Sequence, residues 1–172
     1  MSLKKKLSLF LLFLLLCLIP LLVGAGGDVV ANGGFGVDTD WTYDGGIWSI
    51  ADGEATYKVP VPPNTRTVVE ASIMQSALVV GKKYRVTYEI TAIDANANMR
   101  LMTSDLLGND TYGTTRTAIG VFTESIHASG SWLLLKGKQT AAGPPQQHVK
   151  IDNVSAIELP RGNFTLGFGL EM

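Results

Sequence analysis

The sequence predicts an all-β domain built as a sandwich of two packed β-sheets. Apolar and polar residues alternate with a period of two along most of the chain, and no stretch gives a convincing amphipathic helix. Clusters of Gly, Pro, Asn and Asp divide the chain into roughly eight to ten short strands, which is the spacing typical of a sandwich. Residues 26–159 are also numerous enough to bury a core without a metal or an oligomer.

The first 25 residues have the pattern of a signal peptide. Three lysines at positions 4–6 precede an apolar run over residues 7–23, and small residues end the segment at Ala25. Cleavage there predicts a mature protein that begins at Gly26 and is secreted or held at the cell surface.

The alternative for this segment is a retained membrane anchor, and a membrane is a predicted partner only in that case. The apolar run of residues 7–23 is near the lower limit for crossing about 30 Å of hydrocarbon, and Pro20 disturbs its last turn. We therefore favour cleavage. Cys17, the one cysteine of the chain, is then removed, so the exported domain is predicted to contain no disulfide.

The charge of the exported part argues against nucleic acid as a partner. The chain contains 14 basic and 15 acidic residues. Because the first 25 residues contribute three lysines and no acidic residue, the remainder has 11 basic groups and a net charge of −4. A mildly acidic body lacks the basic patch that nucleic-acid binding needs.

The clearest strand is predicted over residues 84–92. Apolar and polar side chains alternate throughout it, which turns Arg85 and Glu89 towards solvent and the apolar set towards a core. Further strands are predicted over residues 48–50, 55–59, 67–73, 98–103, 118–122, 123–128, 131–136 and 148–159.

Residues 160–172 follow the last predicted strand as a glycine-punctuated alternation. Phe164, Leu166, Phe168 and Leu170 recur at every second position. The segment is predicted to be either an extra strand or a tail through which the protein assembles with itself.

Three stretches, in this order, carry a resemblance to a known family. The first is residues 32–35 (Asn-Gly-Gly-Phe) with the tryptophan-containing residues 40–50, the second is residues 75–84, and the third is residues 149–154 (Val-Lys-Ile-Asp-Asn-Val). Together they resemble the galactose-binding-like jelly roll of carbohydrate-binding modules of families 4, 9 and 22, a fold also found in cell-surface and phage virion proteins. The resemblance spans residues 29–159 and implies a jelly-roll sandwich that binds a glycan.

The resemblance also implies a structural calcium ion. The alternation slips by one residue at residues 151–154, as a β-bulge would cause, and places Asp152 near the first strand. By analogy with the family, the ion is bound by Asp152, by an oxygen from Asp52 or Glu54, and by carbonyls near Gly34. The family often has Glu where this chain has Gly36, which removes one of the six to eight oxygens calcium prefers. The alternative is that Asp152 only caps turn amides.

No catalytic constellation is evident, and the chain is predicted not to be an enzyme. His127 and His148 are the only histidines, no cysteine remains after cleavage, and no G-x-S-x-G nucleophile motif is present. Glu89 and Glu124 form the one candidate pair of glycosidase carboxylates, but a solvent-facing charge explains Glu89 more simply.

Glycan binding needs an aromatic ring that stacks on the sugar and planar polar groups that bind its hydroxyls. Tyr112 is predicted to lie in a loop, where packing does not explain its ring. Trp132 is more simply explained by core or sheet packing, and Trp41 and Trp48 are assigned to the core. The candidate ligand-binding residues are Arg85, Glu89, Arg100, Tyr112, Trp132 and His148.

Two functions therefore remain open. The first is an exported, non-catalytic module that binds a polysaccharide or another glycan on one face of the sandwich. The second is a structural or adhesion subunit of a surface layer, appendage or virion. Packing of residues 160–172 onto the domain favours the first, and a protruding tail favours assembly by strand addition.

Overall fold

The computed structural model describes residues 27–43, 46–59, 69–139 and 148–160. These residues form two five-stranded antiparallel sheets that pack face to face. The strands are β1 (Thr42–Tyr43), β2 (Trp48–Ala51), β3 (Glu54–Lys58), β4 (Glu70–Ser76), β5 (Lys83–Ile93), β6 (Ala97–Ser104), β7 (Asp110–Arg116), β8 (Gly120–His127), β9 (Trp132–Gln139) and β10 (His148–Glu158). We call β1–β4–β9–β6–β7 the front sheet and β2–β3–β10–β5–β8 the back sheet, each in its spatial order.

The predicted all-β sandwich and its clearest strand are confirmed. In β5, Tyr84, Val86, Tyr88 and Ile90 are completely buried, while Arg85 between them is exposed. The period-two alternation therefore separates core from solvent, as expected for a half-buried strand.

The core fills the space between the two sheets. Trp48 of β2 and Tyr57 of β3 are buried from the back sheet, with ring centroids 5.5 Å apart. They pack with Ile73, Leu133 and Leu135 of the front sheet in one hydrophobic cluster. Trp41 and Trp48 both belong to this cluster, which confirms their assignment to the core.

The Asn-Gly-Gly-Phe stretch is explained by a close backbone approach. The amide of Val154 donates to the Gly33 carbonyl at 2.9 Å, and a Cβ on Gly33 would lie 1.7 Å from the Val154 carbonyl oxygen. The register of β10 against β5 shifts between Asp152 and Ser155, which confirms the predicted bulge. Only glycine lets the segment before β1 lie against this bulge.

The structure differs from the strand predictions in three places. It adds the two-residue strand β1, it adds β7, which the sequence analysis had placed in a loop, and it joins the two predicted strands at 118–122 and 123–128 into the single β8. β7 is an edge strand rich in Thr with no large buried apolar side chain, so it lacks the alternation that marks a strand.

Two predicted segments lie outside the described residues: the signal segment of residues 1–25 and all but the first residue of the 160–172 tail. Within the described part of the chain, no helix has the length and hydrophobicity to cross a membrane.

Candidate functional site

The outward side chains of the two sheets create two separate surfaces, the front face and the back face. Strand alternation assigns Arg100 on β6, Tyr112 on β7 and Trp132 on β9 to the front face. The same reasoning assigns Arg85 and Glu89 on β5, and His148 on β10, to the back face. The six predicted ligand-binding residues therefore do not share one surface.

The back face carries polar groups that bind one another. The Glu89 carboxylate accepts a hydrogen bond from Asn153 Nδ2 at 2.9 Å, and His148 Nδ1 lies 2.7 Å from Asp94 Oδ2. Among the described residues, the outward positions of the back-sheet strands hold no Phe, Tyr or Trp. This face thus lacks the stacking ring that sugar binding needs.

The front face contains a stacked pair of side chains. The Arg100 guanidinium carbon lies 4.2 Å from the centroid of the Tyr112 ring. The Tyr112 side chain is nevertheless 52% exposed, and its hydroxyl donates to Asp110 Oδ2 at 3.0 Å. The ring is therefore held by two contacts while about half of it remains accessible to a ligand.

A bulge in β7 turns Tyr112 outward. Arg100 is paired with Thr115, whereas Met102 is paired with Tyr112, so β7 has one more residue than β6 over this interval. Such an extra residue re-aims the side chains on either side of it. Tyr112 and Thr115, three positions apart, consequently face the same side.

Glu124 of β8 fixes this bulge from the interior. Its Oε2 accepts the amide of Thr114 at 2.6 Å, and a Cβ on Gly113 would lie 2.7 Å from the same oxygen. Its Oε1 accepts the Tyr88 hydroxyl at 2.6 Å and lies 3.2 Å from Arg116 Nη2. These contacts connect the edge of the front sheet to the back sheet.

The pKa values in this cluster agree with an ionised Glu124 and a protonated Tyr88 hydroxyl. Burial alone would raise the pKa of Glu124, but hydrogen bonds from the Thr114 amide and Tyr88 and the Arg116 charge hold it below its ordinary value. Burial, with the neighbouring Glu124, raises the pKa of the Tyr88 hydroxyl well above its ordinary value. Glu124 is therefore an anion that supports the bulge at neutral pH.

A shallow cleft of about 130 Å³ opens beside the Arg100–Tyr112 pair. Lys136 Nζ and Lys138 Nζ, both on β9, each lie 2.6 Å from a carboxylate oxygen of Glu70 on β4. Their hydrogen bonds, Lys136 first, lower the pKa of Glu70 to about 2. The cleft is lined by Glu70, Asn98, Arg100, Thr115, Lys136 and Lys138.

Trp132 lies at the far end of the front face. It pairs with Ser76 of β4 and Ser104 of β6, and it is partly exposed at the first position of β9. Leu134, two residues further on, also points outward but is buried. Trp132 therefore lies on the same face as Arg100 and Tyr112, but it is not one of the described residues that line the cleft.

The sequence analysis missed most of the cleft. Glu70, Asn98, Thr115, Lys136 and Lys138 were not singled out as ligand-binding residues. A local signal existed for the two lysines, which flank Gly137 at positions that point the same way along a strand. Nothing in the sequence, however, predicts that β4 pairs with β9 and brings Glu70 to them.

The predicted calcium ligands are only partly assembled. A Cβ on Gly34 would lie 3.9 Å from Asp152 Oδ1, and a Cβ on Gly53 would lie 3.7 Å from the Gly34 carbonyl oxygen. Asp152 Oδ1 accepts the amide of Asn153 at 2.6 Å, while Glu54 binds Lys150 and Thr91 instead. Within the described ranges, no group of three or more acidic, His or Cys side chains surrounds this point. These donors supply fewer oxygens than calcium prefers, and calcium binding stays a prediction.

The fold places this chain among known sandwich structures. No protein-family model matches the sequence, and no curated protein matches it either. A family 61 carbohydrate-binding module, solved in complex with β-1,4-galactotriose, aligns with a TM-score of 0.51 and 14% identity, covering 77% of this chain and 99% of that one. The chain thus has the two-sheet sandwich fold of carbohydrate-binding modules.

Other structures of this class are also similar. A family 4 module aligns with a TM-score of 0.46 and 15% identity over 75% of this chain and 99% of its own. The C-terminal family 22 module of Clostridium thermocellum Xyn10B aligns with a TM-score of 0.42 and 18% identity over 77% and 98%. The chain is structurally similar to modules of families 4, 22, 29 and 61, some of which were solved attached to an enzyme.

Proposed function

We propose that this chain is an exported, non-catalytic module that binds a glycan on the front face. The observation that best supports this proposal is the Arg100–Tyr112 pair beside the polar cleft. The half-exposed ring offers a surface to the C–H groups of a sugar, and the guanidinium is held where it can donate to hydroxyls. The fold likeness to carbohydrate-binding modules supports this assignment.

The placement of the candidate carboxylates supports a non-catalytic role. Glu89 lies on the outward side of β5, whereas Glu124 lies on the inward side of β8 and is bound by Tyr88 and Arg116. Two carboxylates on opposite sides of one sheet do not flank a common glycosidic bond. The cleft itself is lined by a single carboxylate, that of Glu70, among the described residues.

Export is proposed on the pattern of the first 25 residues. The basic start, the apolar run and the small-residue end predict a mature protein from Gly26. Mass spectrometry of the protein from its native host tests this, because detection of the intact N-terminus would make it a membrane-anchored protein.

A glycan array on residues 26–172, followed by titration calorimetry with the glycan it selects, tests the binding site. Tyr112→Ala should weaken binding by at least about tenfold, since it removes the ring and the support of Arg100. Arg85→Ala on the back face is the matched control and should leave the affinity unchanged. Both variants should melt close to the wild type, because both positions are exposed.

The proposal fails if no glycan binds at millimolar concentration. The position of the site on the front face is wrong if Arg85→Ala weakens binding and Tyr112→Ala does not. Either result would shift attention to the second candidate function, assembly through protein contacts.

One observation favours that second candidate. Val79, Val80, Leu106 and Leu107 are exposed apolar residues, and Leu107 is 89% exposed. The loops that carry these four residues lie at one end of the sandwich. There, the amides of Ala77 and Leu78 donate to the Ser131 carbonyl, and Gly130 packs against Ser104.

Such an apolar end is typical of a protein contact surface. Analytical ultracentrifugation of the wild type and of Leu107→Ser tests this. Self-association that the substitution abolishes would favour a structural or adhesion subunit.

A further inference from the structure

The front-face cleft carries an excess of positive charge on an otherwise acidic protein. Arg100, Lys136 and Lys138 line it, and Glu70 is its only carboxylate among the described residues. The chain as a whole has a net charge of −1. The cleft therefore has a positive charge of its own, with three cationic side chains against one carboxylate in the described part of its lining.

Arg100 has no carboxylate partner within the described part of the chain. The ion pairs found there use Lys82, Arg116, Lys136, Lys138, His148 and Lys150. Arg100 is instead held by the Tyr112 ring at 4.2 Å. A guanidinium that stacks on a ring keeps the edge of its planar fork available, and that edge fits a carboxylate or a sulfate.

The neighbour of Arg100 across the sheet is another cation. Lys136 pairs directly with Arg100 in the β9–β6 register, and both point outward. Like charges directly opposite each other destabilise a sheet. Lys136 turns to Glu70 on β4, but Lys138 shares the same carboxylate, so one anion serves two lysines. A ligand anion beside Arg100 and Lys136 would relieve this repulsion.

Glu70 does not change this balance near neutral pH. Its pKa is lowered to about 2, so it is already ionised, and the cleft keeps its positive excess with that charge included. Asn98 and Thr115 supply uncharged polar groups that can bind sugar hydroxyls at the same place.

From this arrangement we propose that the glycan is anionic, with a carboxylate or sulfate substituent bound between Arg100 and Lys136. This inference rests on the proposed glycan-binding function and names its substrate class. A uronate carboxylate and a sulfate ester can each accept two N–H bonds from the guanidinium through a pair of oxygens, so the experiment below separates them.

The sharpest test uses pairs of ligands that differ only in charge. The first pair is an oligogalacturonate and its fully methyl-esterified form, and the second is a sulfated galactan oligosaccharide and its desulfated form. Titration calorimetry on residues 26–172 should show binding to the charged member of at least one pair, weakened at least about tenfold when the charge is removed. The pair that responds identifies the anion.

Variants and salt locate the interaction. Arg100→Gln keeps a hydrogen-bonding amide and should reduce the affinity for the charged ligand about tenfold or more. Arg100→Lys keeps the charge without the fork and should fall between Arg100→Gln and the wild type. Arg85→Gln on the back face is the control, and an increase in salt from about 50 to about 500 mM should weaken binding to the charged ligand.

The outcomes separate this inference from the function on which it rests. Equal affinity for the charged and neutral members of both pairs, with Tyr112→Ala weakening both, would keep glycan binding and overturn the anionic ligand. Binding to single-stranded DNA as strong as to any anionic glycan would also overturn it, because the cleft would then only attract polyanions. Absence of binding to every oligosaccharide, on the array as well, would overturn both proposals.

Discussion

Gly137 of the front sheet lies directly against Tyr57 of the back sheet, and its replacement by Ala tests the packing of the sandwich. A Cβ at this position would lie 2.6 Å from the Cγ and Cδ2 atoms of Tyr57 and 3.0 Å from its Cδ1. Carbon atoms in contact prefer a separation of about 3.5–4.0 Å. The substitution therefore demands a displacement of about 1 Å by the ring or by β9.

The ring of Tyr57 has little freedom to move. It is completely buried, its centroid lies 5.5 Å from that of Trp48, and its hydroxyl donates to the Val69 carbonyl at 2.7 Å. Burial raises the pKa of this hydroxyl to about 12, so it remains a hydrogen-bond donor at neutral pH. Overpacking a core typically costs about 1–3 kcal/mol, and a ring held at both ends places Gly137→Ala in the upper half of that range.

Urea denaturation of Gly137→Ala, followed by tryptophan fluorescence, measures the change. Gly36→Ala is the matched control, because its Cβ would meet nothing closer than 3.7 Å and its backbone φ lies outside the left-handed region. That control should be neutral or slightly stabilising, since alanine lowers the entropy of the unfolded chain.

A double variant completes the test. Tyr57→Leu frees space at the clash, so Gly137→Ala should cost less in that background than in the wild type. Equal costs in both backgrounds, or a Gly137→Ala protein as stable as Gly36→Ala, would refute the close packing of β9 on β3.

Three further predictions concern the site and the core. The lowered pKa of Glu70, about 2 against an ordinary 4.5, means that its ion pairs stabilise the fold fully above about pH 4.5 and are lost as the pH falls through about 2. Because this carboxylate is about one third exposed, its contribution to stability is small. Glu70→Gln should reduce the loss of unfolding free energy at acid pH by no more than about 1 kcal/mol. Trp41→Ala should destabilise the domain by roughly 3–5 kcal/mol in denaturant titrations, since the ring is only 6% exposed, and a loss below 1 kcal/mol would contradict its burial. Calcium at Asp152 predicts that EDTA lowers the melting temperature and that Asp152→Ala abolishes this response; an unchanged wild-type curve would leave Asp152 with turn capping alone.

The sequence predicts those parts of the fold in which burial alternates along a strand. β5 was predicted correctly because Tyr84, Val86, Tyr88 and Ile90 all face the core. The bulge near Asp152 was predicted from a one-residue slip in the alternation of β10. β7 was missed for the opposite reason. Its conformation depends on Glu124 accepting the Thr114 amide, a contact between strands that no local pattern records.

The site was predicted incompletely for a related reason. Residue type alone makes all six candidates suitable for sugar binding. It does not separate the front-face residues (Arg100, Tyr112 and Trp132) from the back-face residues (Arg85, Glu89 and His148). Which side of the sandwich each residue occupies depends on the order of strands in the two sheets, and that order joins β4 to β9 and β9 to β6 across long stretches of chain. The front face is therefore a property of topology, and the same residue types in another strand order would lie apart.

The two faces also differ in how their unpaired arginine is held, and this difference favours the front face as the binding surface. On the back face, Lys150 is matched by Glu54 at 2.8 Å and His148 by Asp94 at 2.7 Å, while Arg85 has neither an ion pair nor a ring contact among the described residues. On the front face, the guanidinium of Arg100 is oriented by Tyr112 without a carboxylate partner among the described residues. A side chain that is already oriented loses little further entropy on binding, so a ligand that satisfies it retains more of the interaction free energy. Arg100 is accordingly the residue at which a change of charge should alter ligand affinity most and fold stability least.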